Sequence, residues 1–139
     1  MPLDKSKYIL LIKQVQIAFY STFGNDILFV KENEAIEHMG HFNIQYKYLP
    51  LNYYITFENE RDVFCINIYD DEGAKNSLYR IEEFDNQTTL KNIELAIQKL
   101  KNILNKNDFC FYVNRDGKLY RKKNKEYKRI KDLNDLIRR

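Results

Sequence analysis

At 139 residues, with a formal net charge of +3 and only 4 Gly and 2 Pro, the chain is sized for one domain and too poor in chain breakers to be linker-rich, collagen-like or disordered. Hydrophobic residues at 44%, with 11 Tyr and 9 Phe, supply the volume of a core that needs no disulfide or metal staple. No apolar run reaches the ~18 residues of a membrane span, and the first apolar stretch is broken by Lys13 and Gln14 with no small-residue cleavage site behind it, so neither a membrane segment nor a signal peptide is expected.

The first element is a helix over 4–23, where Tyr8, Ile12, Val15, Phe19 and Phe23 recur every three or four residues and Ile9, Leu11 and Ile17 widen the stripe. Asp4 or Ser6 can cap its start and Gly24 its end. "ILFV" at 27–30 reads as a short buried strand, and the polar "KENEAIEHMGH" after it as a connection with room for a helical turn. Phe42, Ile44, Tyr46 and Tyr48 then alternate with polar residues, the period of a strand with one wet face. Tyr53, Ile55 and Phe57 repeat the pattern after a turn at Pro50, and "DVFCINIYD" follows a charged turn at 58–61. Connections this short predict antiparallel neighbours.

"DDEGAKN" is expected to be a loop and "SLYRIEEF" a further strand. A second helix over 88–105 places Leu90, Ile93, Ile97, Leu100 and Leu104 on one stripe, with Asn86 or Thr88 as its cap. "DFCFYV" and "KLYRKK" form a hairpin about the "NRDG" turn, a second reversal at 123–125 leads into "EYKRI", and Ile130, Leu133, Leu136 and Ile137 predict a short terminal helix. The fold class expected is α+β: an antiparallel meander sheet of five to seven strands packed on the 4–23 and 88–105 helices, with a C-terminal hairpin and short terminal helix, all in a single domain spanning 1–139.

Charge is divided unevenly. Residues 115–139 carry 11 basic and 4 acidic side chains, a net +7, against 12 basic and 16 acidic, a net −4, in residues 1–114. The basic end is expected to be folded, with cations on the wet side of hairpin arms backed by Leu119, Tyr120 and Tyr127. Its candidate nucleic-acid contacts are Arg121, Lys122, Lys123, Lys125, Lys128 and Arg129. A net +3 and pI of 8.7 fall short of the values, above about 9, that mark nucleic-acid-binding domains.

Signatures of catalysis are missing from the sequence. The four glycines stand singly, so no Gly-rich phosphate loop can form, and there is no G-x-S-x-G. His38 and His41 with Glu34 and Glu37 have helical metal-ligand spacing, but Gly40 loosens that segment and no third ligand follows. Asp70, Asp71 and Glu72 lack the full calcium-loop pattern, and Glu82 and Glu83 would point to opposite faces of a strand. Neither enzymatic activity, nor a cofactor, nor a metal is expected. Cys65 and Cys110 lie in apolar strand-like runs, fit free thiols in a reducing cytoplasm, and leave a pairing open.

The excess of Lys, Asn, Ile and Tyr over Ala, Gly, Arg and Trp is what an AT-rich coding sequence yields, pointing to a low-GC bacterium, a phage or a mobile island. Elimination and abundant tyrosine together point to a protein-binding module of the immunity or phage-inhibitor kind, which neutralises a partner such as a toxin. Its contacts are expected in the acidic loops, at Glu58, Glu60, Asp62, Asp70, Asp71 and Glu72. The alternatives are a nucleic-acid-binding protein using the basic end, and a secretion chaperone, whose order of elements this chain resembles; oligomeric state is left open.

Overall fold

The computed structural model describes residues 5–131. Helix α1 (Lys5–Phe23) ends at Gly24, whose φ of +55° opens a single 3-10 turn (Gly24–Asp26). Eight strands follow: β1 (Ile27–Ala35), β2 (His41–Tyr48), β3 (Tyr53–Glu60), β4 (Val63–Tyr69), β5 (Lys75–Ser77), β6 (Phe111–Arg115), β7 (Lys118–Lys123) and β8 (Glu126–Arg129). Between β5 and β6 run the one-turn helix α2 (Leu78–Ile81) and the long helix α3 (Leu90–Lys106). All eight strands lie in chain order in one antiparallel sheet, one more than the upper end of the expected five to seven. The fold is thus the α+β meander expected, and none of its described helices is long and apolar enough to cross a membrane.

Alternation decides which face is dry. Phe42, Ile44, Tyr46 and Tyr48 of β2, Ile55 and Phe57 of β3, and Phe64, Ile66 and Ile68 of β4 point to one side and are buried under α1 and α3. Helix α1 contributes Leu11, Val15 and Phe19, and α3 contributes Ile93, Ile97 and Leu100. The Phe19 ring stacks on Tyr46 with centroids 4.4 Å apart, and Phe57 stacks on Phe64 at 5.2 Å, so aromatic rings cross the centre of the core as they prefer to, offset or edge-on. Asn59, the next inward position of β3, is also buried; its amide donates to the Gly40 and Arg61 carbonyls and accepts from the Thr88 hydroxyl.

Several local expectations are corrected. Strand β1 runs through Lys31–Ala35, the stretch read as a connection, and its Leu28, Phe29 and Val30 are exposed instead of buried, because β1 is an edge strand with a bulge between Phe29 and Lys31. Leu78–Ile81 is a helical turn, not a strand: the Ser77 hydroxyl accepts from the Arg80 backbone N–H and starts it. The cap of α3 is Thr89, neither Asn86 nor Thr88, and Leu90 is exposed on its first turn. The predicted terminal helix lies outside the described residues.

The sheet has a seam. Between β5 and β6 only Lys75 and Tyr112 pair in register, because the chain leaves the sheet there for α2 and α3. Side chains close what the backbone leaves thin: the buried Asn76 amide donates to the Cys110 carbonyl at 2.8 Å, and Tyr53 packs edge-on against Phe111 at 5.1 Å.

Candidate interaction surfaces

Two groups of residues that the sequence offers as rival surfaces meet at that seam. The Asp70 carboxylate folds the β4–β5 loop by accepting the backbone N–H groups of Glu72 and Ala74 at 3.0 and 2.8 Å. Its other oxygen accepts Lys122 Nζ at 2.6 Å, and both side chains are buried. Lys122 also lies 3.4 Å from Glu72, to which the Tyr127 hydroxyl donates at 2.9 Å. Burial alone would lower the Lys122 pKa, but the Asp70 carboxylate outweighs it and holds the ammonium above its usual value. The Tyr127 hydroxyl, followed by Lys122, holds Glu72 below the usual carboxylate range. Asp70 and Lys122 are therefore internal braces between the loop and the terminal hairpin.

The other acidic candidates sit elsewhere. Glu58 and Glu60 belong to β3 and Asp62 to the β3–β4 turn, while Asp71 and Glu72 are at the opposite end of β4, roughly 23 Å away along a seven-residue strand. The six carboxylates do not form one surface. Of the basic candidates, Lys123 bonds Asp108 at 2.9 Å; Lys125, Lys128 and Arg129 are exposed; and Arg121 is half-buried on the helix-free side.

That helix-free side carries an arrangement missed by the sequence reading. Register aligns Lys47, Tyr54, Tyr69 and Lys75 across β2 to β5, and the same row continues through Tyr112, Arg121 and Lys128 on β6 to β8. Lys47 Nζ lies 5.7 Å from the Tyr54 ring centre and Lys75 Nζ 5.9 Å from that of Tyr69, while the Arg80 guanidinium covers Tyr112 at 4.5 Å. The neighbouring row, Gln45, Thr56, Asn67 and Ser77, is polar and uncharged. The signal was present as odd-even alternation, but which outward residues align depends on registers that the sequence does not display.

The two sheet edges differ. Strand β8 exposes Glu126, Tyr127, Lys128 and Arg129, and charge keeps such an edge from pairing with other chains. Strand β1 exposes Leu28 at 54%, Phe29 at 40% and Val30 at 42%. Beside it, Gln16 of α1 donates to Glu32, and along the same helix face Ile9 and Tyr20 are about half exposed. Exposed apolar side chains thus occur both on the β1 edge and on α1, with the polar Gln16–Glu32 pair between the strand and the helix.

The Glu–His arrangement weighed from the sequence is not formed among the described residues. Glu34 lies in β1, so the helical Glu–His pairs do not exist; His41 faces Glu58 at 3.2 Å and His38 is exposed. No group of three or more His, Cys, Asp or Glu side chains is placed to hold a metal. Cys65 and Cys110 are free thiols, and burial followed by Glu58 pushes Cys65 up, the reverse of an activated thiolate. Comparison of the chain with protein-family models, with curated proteins and with solved structures finds no match.

Proposed function

We propose that the protein works by binding another protein, with no catalysis of its own, and that the open β1 edge with the adjoining face of α1 is where the partner docks. The observation that carries this is the contrast between the edges: β8 is blunted by charge, whereas β1 leaves Leu28, Phe29 and Val30 exposed. A partner strand added to such an edge gains main-chain hydrogen bonds, while exposed rings give specificity. An immunity or inhibitor protein that neutralises a toxin is the class this best fits, acting in a reducing cytoplasm where Cys65 and Cys110 stay as thiols.

Co-expression with the protein encoded beside it, followed by size-exclusion chromatography with light scattering, tests the reading. A one-to-one complex is expected, and Phe29→Lys combined with Val30→Lys should weaken it at least tenfold while far-ultraviolet circular dichroism stays unchanged. A complex indifferent to both substitutions would move the interface elsewhere. A stable homodimer lost on the same substitutions would favour the secretion-chaperone alternative, with β1 as its self-association edge.

A further inference from the structure

We propose that the helix-free face of the sheet binds a single-stranded polynucleotide along the row from Lys47 to Lys128, independently of the β1 edge. The repeating unit is a ring beside a cation: Tyr54 with Lys47, Tyr69 with Lys75, and Tyr112 with Arg80. A nucleotide has the matching pair of groups, a flat base that stacks and a phosphate that seeks a cation. Arg121 and Lys128 extend the same row; no carboxylate stands in the row itself, and Asp71 lines the surface beside Tyr54 and Tyr69. Six strand spacings separate β2 from β8, giving a track of about 29 Å.

The uncharged neighbours Gln45, Thr56, Asn67 and Ser77 supply donors and acceptors for base edges or sugar hydroxyls. Between Lys75, Arg80 and Tyr112 the face dips into a shallow, open hollow of about 470 Å³, lined also by Asn67 and Asn114. Duplex hides its base faces and would leave the three tyrosines without a role. An acidic protein would answer the cations but gives no reason for rings alternating with them in one line. The surface proposed here differs from the basic terminal end: Lys122 is internal, and Lys47, Lys75 and Arg80 come from the acidic body of the chain.

Fluorescence anisotropy with labelled oligo-dT and oligo-U of about 20 nucleotides tests this on the full chain. Contact with three to five phosphates predicts roughly 20- to 130-fold weaker binding between about 50 and 200 mM salt. Tyr54→Ala and Tyr69→Ala should each weaken binding by roughly 5- to 160-fold. Lys75→Glu with Lys128→Glu, both at exposed positions, should abolish it without affecting folding, and Phe29→Lys should leave it unchanged. Preference for oligo-U over oligo-dT would identify the ligand as RNA, and the reverse as DNA. The proposal is overturned if neither oligonucleotide binds at low salt, if duplex of equal length binds as tightly, or if the double charge reversal removes a protein partner from a protein that never binds oligonucleotide.

Discussion

The Tyr46 hydroxyl is enclosed between β2 and α1, without a hydrogen-bond partner among the described residues. Burial, helped by Tyr20 and Glu32, pushes this phenol far above its usual range. A buried hydroxyl with no partner costs about 1–3 kcal/mol, so Tyr46→Phe, which keeps the ring stacked on Phe19, should raise stability by about 1 kcal/mol in urea unfolding; a comparable loss would reveal an unseen partner. Asn59 is the opposite case, with donors and acceptor all engaged. Its burial was not legible in the sequence, since a polar residue at the end of an alternating strand becomes an inside residue only when distant groups, here Gly40 and Thr88, arrive to satisfy it. Gly40 is fixed by the same neighbourhood: its φ is +73°, and a Cβ there would collide with the Tyr8 ring.

Among the elements, those with unbroken periodicity were legible: α1, α3 and strands β2 to β4 follow the apolar spacing to within a residue or two. Strand β1 and helix α2 were not, for physical reasons. In β1 the apolar run at 27–30 matches a buried strand, yet its position at the sheet edge leaves Leu28, Phe29 and Val30 exposed and only Ile27 buried, and pairing with β2 carries the polar half into the sheet. At Leu78 a single Ser77 hydroxyl turns the chain into a helix. The terminal hairpin was legible as a fold because Asp116, Gly117, Asn124 and Lys125 all adopt positive φ at its two tight reversals, but its anchor was not. Breaking the anchor from one side, by Lys122→Met or Asp70→Asn, should cost about 3–5 kcal/mol, because each leaves the other charge buried without its partner, and the double variant should cost less than the two together, because it leaves none. Glu72's pKa is lowered on folding, so its share of the anchor is present above about pH 4.3 and is lost as pH falls through the lowered value. Lys122, raised on folding, contributes at every pH below about 10.4 and is lost only as pH rises through its higher value. The difference in thermal midpoint between the parent and Glu72→Gln should therefore be constant from pH 6 to 9 and shrink towards zero below about pH 4; a difference persisting at pH 2 would place the effect elsewhere.

At the scale of the molecule, an acidic body and a basic end form one sheet because a single backbone pair at the β5–β6 seam is reinforced by Asn76, Tyr53 and the Lys122–Asp70 bridge. The charge asymmetry that the sequence shows as a difference between two segments becomes, once folded, one row of cations and tyrosines crossing both halves. Had the basic end been a tether, its cations would bear no fixed relation to Tyr54 and Tyr69, and the row would not exist. Amide hydrogen exchange read by mass spectrometry tests this most directly. Peptides covering 111–115 and 118–123 should exchange as slowly as those of β2 to β4, and should lose that protection in Lys122→Met before the rest of the sheet does. Exchange of 111–123 within seconds in the parent protein, while β2 to β4 remain protected, would contradict the account.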